Sequence, residues 1–127
     1  MKNTTLLFLI KKDSDKVSDV LLAMKKIGFG VGRYNGVGGK VKEGETIEEA
    51  AARETKEEIG VDVDVKNIVK MGEIEFRFED KVEWNQMVHI YTTEVWNGEP
   101  VESEEMKPYW YKVEDIVKHI PRAINDY

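Results

Sequence analysis

Residues Gly38 to Val63 read GGKVKEGETIEEAAARETKEEIGVDV. This stretch predicts a helix over Thr46–Ile59. Thr46 and Glu49, three residues apart, form a capping box. Ala50, Ala51 and Ala52 are strong helix formers. Gly60 stands where a helix ends in the left-handed conformation. At about 100° per residue, Ile47, Ala50 and Ala51 share the side turned toward the protein, and Glu54 and Glu58 fall among them. Glu57 lies just off that side, one turn from Glu54. Glu48, Glu49, Ala52 and Lys56 make the solvated side. A buried, unpaired carboxylate is costly, and like charges at helical spacing repel by a few tenths of a kcal/mol per pair. Whatever fold this chain adopts must bring positive charge to that face. Arg53 is near, four residues before Glu57, and is placed to pair with it or with Glu45. One Arg does not neutralise three carboxylates, whereas a divalent cation does. Mg²⁺ binds through carboxylates, waters and phosphate oxygens. A purely structural salt-bridge cluster is the competing reading.

The rest of the chain narrows the choice. Its 127 residues suit one domain spanning 1–127. With no Cys, thiolate ligands and disulfides are absent, and His89 and His119 are isolated in sequence. A net charge of −6 argues against a nucleic-acid polymer as partner, since such binders carry a basic stripe that releases counterions. No run approaches membrane-spanning length. The opening MKNTTLLFLIKK has too short an apolar run for a signal peptide and reads as a strand. A cytoplasmic setting and a monomer are the default expectations.

Thr4–Lys11 and Val17–Lys25 are expected strands around the polar turn KKDSDK. The segment IGFGVGRYNGVGGKV holds six of the ten glycines, which calls for positive φ or close backbone approach. In GEIEFRFED, Ile74, Phe76 and Phe78 alternate with charged residues, predicting a half-buried strand. Met87–Val95 and Pro108–Val113 are further strands, and the tail after Glu114 is weakly helical up to Pro121. Strands around one strong helix imply an α/β domain with a mixed sheet.

Gly39, Glu45, Arg53, Glu54, Glu57, Glu58, Gly60 and Val61 occupy eight positions over twenty-three residues. This spacing resembles the signature box of the Nudix hydrolase family. Thr55 stands where that pattern usually has an aliphatic residue. The likeness extends from about Thr5 to Ile116 and is to the MutT branch. It implies an α/β/α sandwich around a mixed sheet, and an Mg²⁺-dependent enzyme, with Mn²⁺ as an alternate ion. It implies hydrolysis of nucleoside triphosphates to monophosphate and pyrophosphate, with preference for oxidised purines such as 8-oxo-dGTP. Another nucleoside diphosphate derivative as substrate, and a non-catalytic nucleotide-binding module, are the alternatives.

Residue by residue, the resemblance assigns Glu54, Glu57 and Glu58 to the metal, with a backbone carbonyl at Gly39 and a distal Glu105. Glu54 is the expected base and Glu58 the principal ligand. Arg53 orients the catalytic carboxylates. Asn35 matches an Asn on the purine edge, an amide that donates and accepts at once. Phe29 and Phe76 match pocket walls, and Thr5 and Lys25 match positions on the sugar side. The family branch reads the oxidised base with an adjacent Asp pair. This chain has IPRAINDY there, leaving Asp126 as the acidic candidate.

Overall fold

The computed structural model describes residues 1–28 and 31–116. Phe29 and Asp126, both expected at the base pocket, lie outside them, as do His119 and Pro121. Among the described residues six strands form one mixed sheet: β1 (Lys2–Asp13), β2 (Lys16–Lys25), β3 (Tyr34–Asn35), β4 (Val69–Phe76), β5 (Gln86–Thr93) and β6 (Met106–Lys112). The order is β3-β2-β1-β5-β4, with β6 also paired to β2. The helix α1 runs from Ile47 to Ile59 between β3 and β4.

β1 organises the site because its two halves have different neighbours. Lys2 to Leu9 run parallel to β5, whereas Ile10 to Asp13 pair antiparallel with β2. This leaves one edge of the first half without a strand. The glycine-rich segment fills that edge. Leu7 N–H donates to the Val37 carbonyl at 2.7 Å, Thr5 N–H to Gly39 at 2.9 Å, and Val41 N–H to Asn3 at 3.0 Å. Gly38 is required by this closeness, since a Cβ there would lie 1.7 Å from the Thr5 carbonyl oxygen.

Alternation along β1, β2 and β5 turns Leu7, Leu9, Leu21, Ala23 and Tyr91 toward α1, where Ala51, Ile59 and Val61 complete the core. Each fully buried aliphatic side chain contributes roughly 1.5–3 kcal/mol. The helix starts and stops as its ends dictate. Thr46 Oγ1 accepts from Glu49 N–H at 3.1 Å, and Glu49 Oε1 accepts from Thr46 N–H at 2.8 Å. Gly60 closes it at φ 74°. Thr55 is fully buried, and its hydroxyl donates to the Ala51 carbonyl at 2.8 Å. The helix thereby satisfies the polar group that replaces an aliphatic side chain.

Two expectations need correction. β4 is an edge strand that ends at Phe76, and Phe76 is 44% exposed; the alternation shows a face, but that face is not covered among the described residues. Glu48 is not merely solvated, because Tyr91 Oη donates to it at 2.8 Å. The expected terminal helix is begun at 113–116, which are helical, and the rest of it lies outside the described residues. Among the described residues no helix is long and apolar enough to cross a membrane.

Candidate active site

Arg53 is the centre of one half of the site. Its Nε and Nη2 grip Glu45 at 3.0 and 2.7 Å, and Nη2 also donates to the Lys40 carbonyl at 3.1 Å. Nη1 donates to Glu54 at 2.9 Å and to Glu57 at 3.2 Å. These contacts engage every nitrogen of a guanidinium, whose planar fork fixes its partners' directions. Arg53 pairs with Glu45 and Glu57 together, and with Glu54 as well. The Arg53 hydrogen bond, helped by the Lys42 N–H, holds the Glu45 carboxyl down at about 2. Glu45 in turn raises Arg53 above its ordinary value.

Glu58 has the opposite surroundings. It is 6% exposed, and among the described residues its Oε2 has no hydrogen-bond partner. Burial first, then the neighbouring Glu54 charge, pushes it up to about 8, while the Gly38 N–H pulls it partly back. Glu105 adds to the push, which brings the distal loop to the cluster as the sequence suggested. Glu57 and Glu105 line a cavity of about 290 Å³ with Ser103 and Glu104.

Gly39 contributes through what it lacks. A Cβ there would lie 2.6 Å from the Glu54 carboxyl carbon. Its carbonyl, expected as a ligand, accepts from Thr5 N–H within the ladder to β1 and so points away from α1. Backbone direction alternates along this extended segment. Gly38 and Lys40 therefore face the helix, Lys40 by its bond to Arg53. Gly38 is set against the helix by its N–H to Glu58. Thr5 is 1% exposed, and its hydroxyl lies 3.4 Å from Gly39 N. It acts on the site through that segment rather than by lining an open pocket.

The base-side candidates are spread out. Asn35 is exposed on β3, its Oδ1 accepting from Gly36 N–H at 2.9 Å. Phe76 lies on β4 at the opposite edge of the sheet. Lys25 ends β2 with its Nζ beside Gly28. The described residues do not bring these three into mutual contact. His89, read as isolated, is buried and bonded to Asn3 Oδ1 at 3.0 Å.

The residues fit a divalent cation in donor chemistry. Hard oxygen donors surround an orphaned buried carboxylate oxygen, and two further carboxylates raise its proton affinity. Among the described residues no three acidic or imidazole groups already converge on one point, because Arg53 draws Glu54 and Glu57 to itself.

Known proteins show which family and fold the chain resembles. A model of the NUDIX domain matches residues 2–127. Over 97 residues the chain is 50% identical to the oxidized purine nucleoside triphosphate hydrolase of Danio rerio and 52% identical to that of Mus musculus. These alignments cover 76% of this chain and 60% of each relative, so the chain spans less than two thirds of their length. The fold is similar to the MutT NUDIX hydrolase from Burkholderia pseudomallei, with a TM-score of 0.74 at 20% identity over 89% of this chain and 84% of that one. It is also similar to the mMutator MutT protein from Bacillus halodurans, with a TM-score of 0.72 at 26% identity over 93% and 72%. On the domain match and these identities, the chain belongs to the NUDIX family.

Proposed function

We propose that this chain is an Mg²⁺-dependent nucleoside triphosphate diphosphatase, with Mn²⁺ as an alternate ion. It hydrolyses oxidised purine deoxynucleoside triphosphates such as 8-oxo-dGTP to the monophosphate and pyrophosphate, which would keep damaged nucleotides out of the cytoplasmic pool. The observation that carries the reading is the partnerless Glu58 Oε2 beside Glu54. It occurs in a chain half identical to relatives named for that hydrolysis.

Glu54, Glu57, Glu58 and Glu105 would hold the ion, with the Gly38 carbonyl as a backbone donor. When bound it supplies Lewis-acid stabilisation of charge on the phosphates, which a chain of net charge −6 otherwise repels. Arg53 fixes the direction of Glu54. That leaves Glu54 as the base that takes a proton from the attacking water while the P–O linkage between the α- and β-phosphates breaks. Asn35 meets the purine edge, Phe29 flanks the base and Lys25 lies toward the sugar, whereas Phe76, on the opposite edge strand, would join them only on substrate binding. Asp126 is the acidic partner for the oxidised base. Residues 1–127 act as a single domain.

The test is a panel of normal and oxidised purine and pyrimidine triphosphates, with and without Mg²⁺, scored by product. The expected result is monophosphate plus pyrophosphate, Mg²⁺-dependent and fastest on an oxidised purine. Diphosphate plus orthophosphate, or faster cleavage of a dinucleoside polyphosphate or nucleotide sugar, would overturn it.

A further inference from the structure

Lys26 directly follows β2 and takes no part in the Arg53 cluster. Its Nζ donates to Glu102 Oε2 at 2.6 Å and to the Ser103 carbonyl at 2.9 Å. Its backbone N–H donates to the Glu105 carbonyl at 2.8 Å. The segment it grips is tightly turned. Ser103 N–H reaches the Met106 carbonyl at 2.9 Å. Ser103 Oγ accepts from the N–H groups of Glu105 and Met106 at 3.3 and 3.2 Å. At its other end, Val101 N–H donates to the Ile59 carbonyl at 2.9 Å. The loop is thus strung between the C-terminus of α1 and the end of β2.

This loop carries Glu102, Glu104 and Glu105 and stands across a cavity from Glu57. Like charges over such a gap repel, and at physiological ionic strength screening acts over about 8 Å. The Lys26 ammonium sets a positive charge against that repulsion at Glu102. We propose that Lys26 is a positioning residue: its ammonium and backbone N–H strap the Glu102–Glu105 loop so that the Glu105 carboxylate faces Glu57 across the cavity. This rests on the assignment of Glu105 to the metal under the proposed function. As a stability device the contact would matter little, because a half-exposed ion pair is screened by solvent and holds two long side chains in one geometry at a cost in entropy. Its value lies in where it puts the next carboxylate.

Four proteins test this: Lys26→Met, Lys26→Arg, Glu105→Gln and the double variant Lys26→Met/Glu105→Gln. Two readouts are used. One is affinity for Mn²⁺ alone by electron paramagnetic resonance; the other is the Mg²⁺ dependence of nucleoside triphosphate hydrolysis. Residues that orient metal ligands typically alter affinity by about 10–100-fold. Lys26→Met should weaken Mn²⁺ binding and raise the half-activating Mg²⁺ by roughly tenfold, the low end of that range. KM for the nucleotide at saturating Mg²⁺ should stay unchanged, and Lys26→Arg should restore both readouts. In the Glu105→Gln background, Lys26→Met should add nothing. Should Lys26→Met fail to fold, Glu102→Gln removes the same ion pair and should shift both readouts in the same direction. Unchanged Mn²⁺ affinity in Lys26→Met beside an impaired Glu105→Gln overturns the Lys26 role alone, and so do additive losses in the double variant. Wild-type behaviour of Glu105→Gln in both readouts overturns the Lys26 role together with the Glu105 assignment.

Discussion

Arg53 and Glu58 sit on the same helix, little more than one turn apart, and have opposite fates. Around Arg53 the hydrogen-bond account closes: its nitrogens meet Glu45, Glu54, Glu57 and the Lys40 carbonyl. Around Glu58 it stays open, with a buried carboxylate oxygen that has no partner among the described residues. The first region is finished by the chain itself, and the second needs something from outside. Proteins seldom leave a buried polar atom unsatisfied, which is why the proposed cation is placed at the open half.

The strongest way to break this contrast is Glu58→Gln. It removes a ligand charge while keeping the shape. Metal-assisted catalysis supplies several kcal/mol of transition-state stabilisation, and each 1.36 kcal/mol is tenfold in rate. Turnover should therefore fall by roughly a hundredfold or more, with the protein folded and, without metal, no less stable than wild type. Steady-state kinetics and thermal melts check both halves, and near-normal turnover would remove Glu58 from the site.

Arg53→Lys sharpens the contrast from the other side. Lysine keeps the charge but loses the planar fork, so the grips on Glu45 and Glu54 cannot both survive. Breaking a fully buried pair costs about 3–5 kcal/mol, and Arg53 is partly solvated. A loss of about 1–2 kcal/mol is expected by denaturant unfolding. The accompanying fall in kcat, roughly tenfold, should be smaller than for Glu58→Gln. A destabilised variant with unchanged kcat would make Arg53 structural only.

Much of this was legible before the coordinates. Thr46, Glu49 and Gly60 bound α1 correctly because caps are local chemistry. The inward placement of Glu58 followed from helical spacing, which needs only one helix. What failed depends on distant partners. The alternation of Ile74 and Phe76 could not reveal that β4 lies at an edge. Whether Gly38 or Gly39 turns its carbonyl to the helix is set by the ladder to β1, more than thirty residues away in sequence. Glu48 looked solvated because its partner Tyr91 is 43 residues distant. Lys26 lay hidden for the same reason, since Glu102 is 76 residues further along. A helix reports its own faces, but not what is set against them.

The two halves also differ in the sign of their pH dependence. Glu45 is held at about 2 in the folded chain, below its ordinary 4.5. Its contribution is therefore present above pH 4.5 and lost as pH falls through about 2. Glu58 is raised to about 8 from 4.5. Its contribution is present below pH 4.5 and lost as pH rises through about 8. A cation that needs the ionised carboxylate must displace that proton, so its binding strengthens with pH. The most direct test is the melting temperature of wild type and Glu58→Gln from pH 5 to 8.5, with and without Mg²⁺. Metal-free wild type should lose stability across this range relative to Glu58→Gln. Mg²⁺ should restore it in wild type, by a shift that grows with pH, and should do little for the variant. An Mg²⁺ shift that is equal in both proteins, or flat with pH, would contradict the claim that the open half of the helix is a cation site.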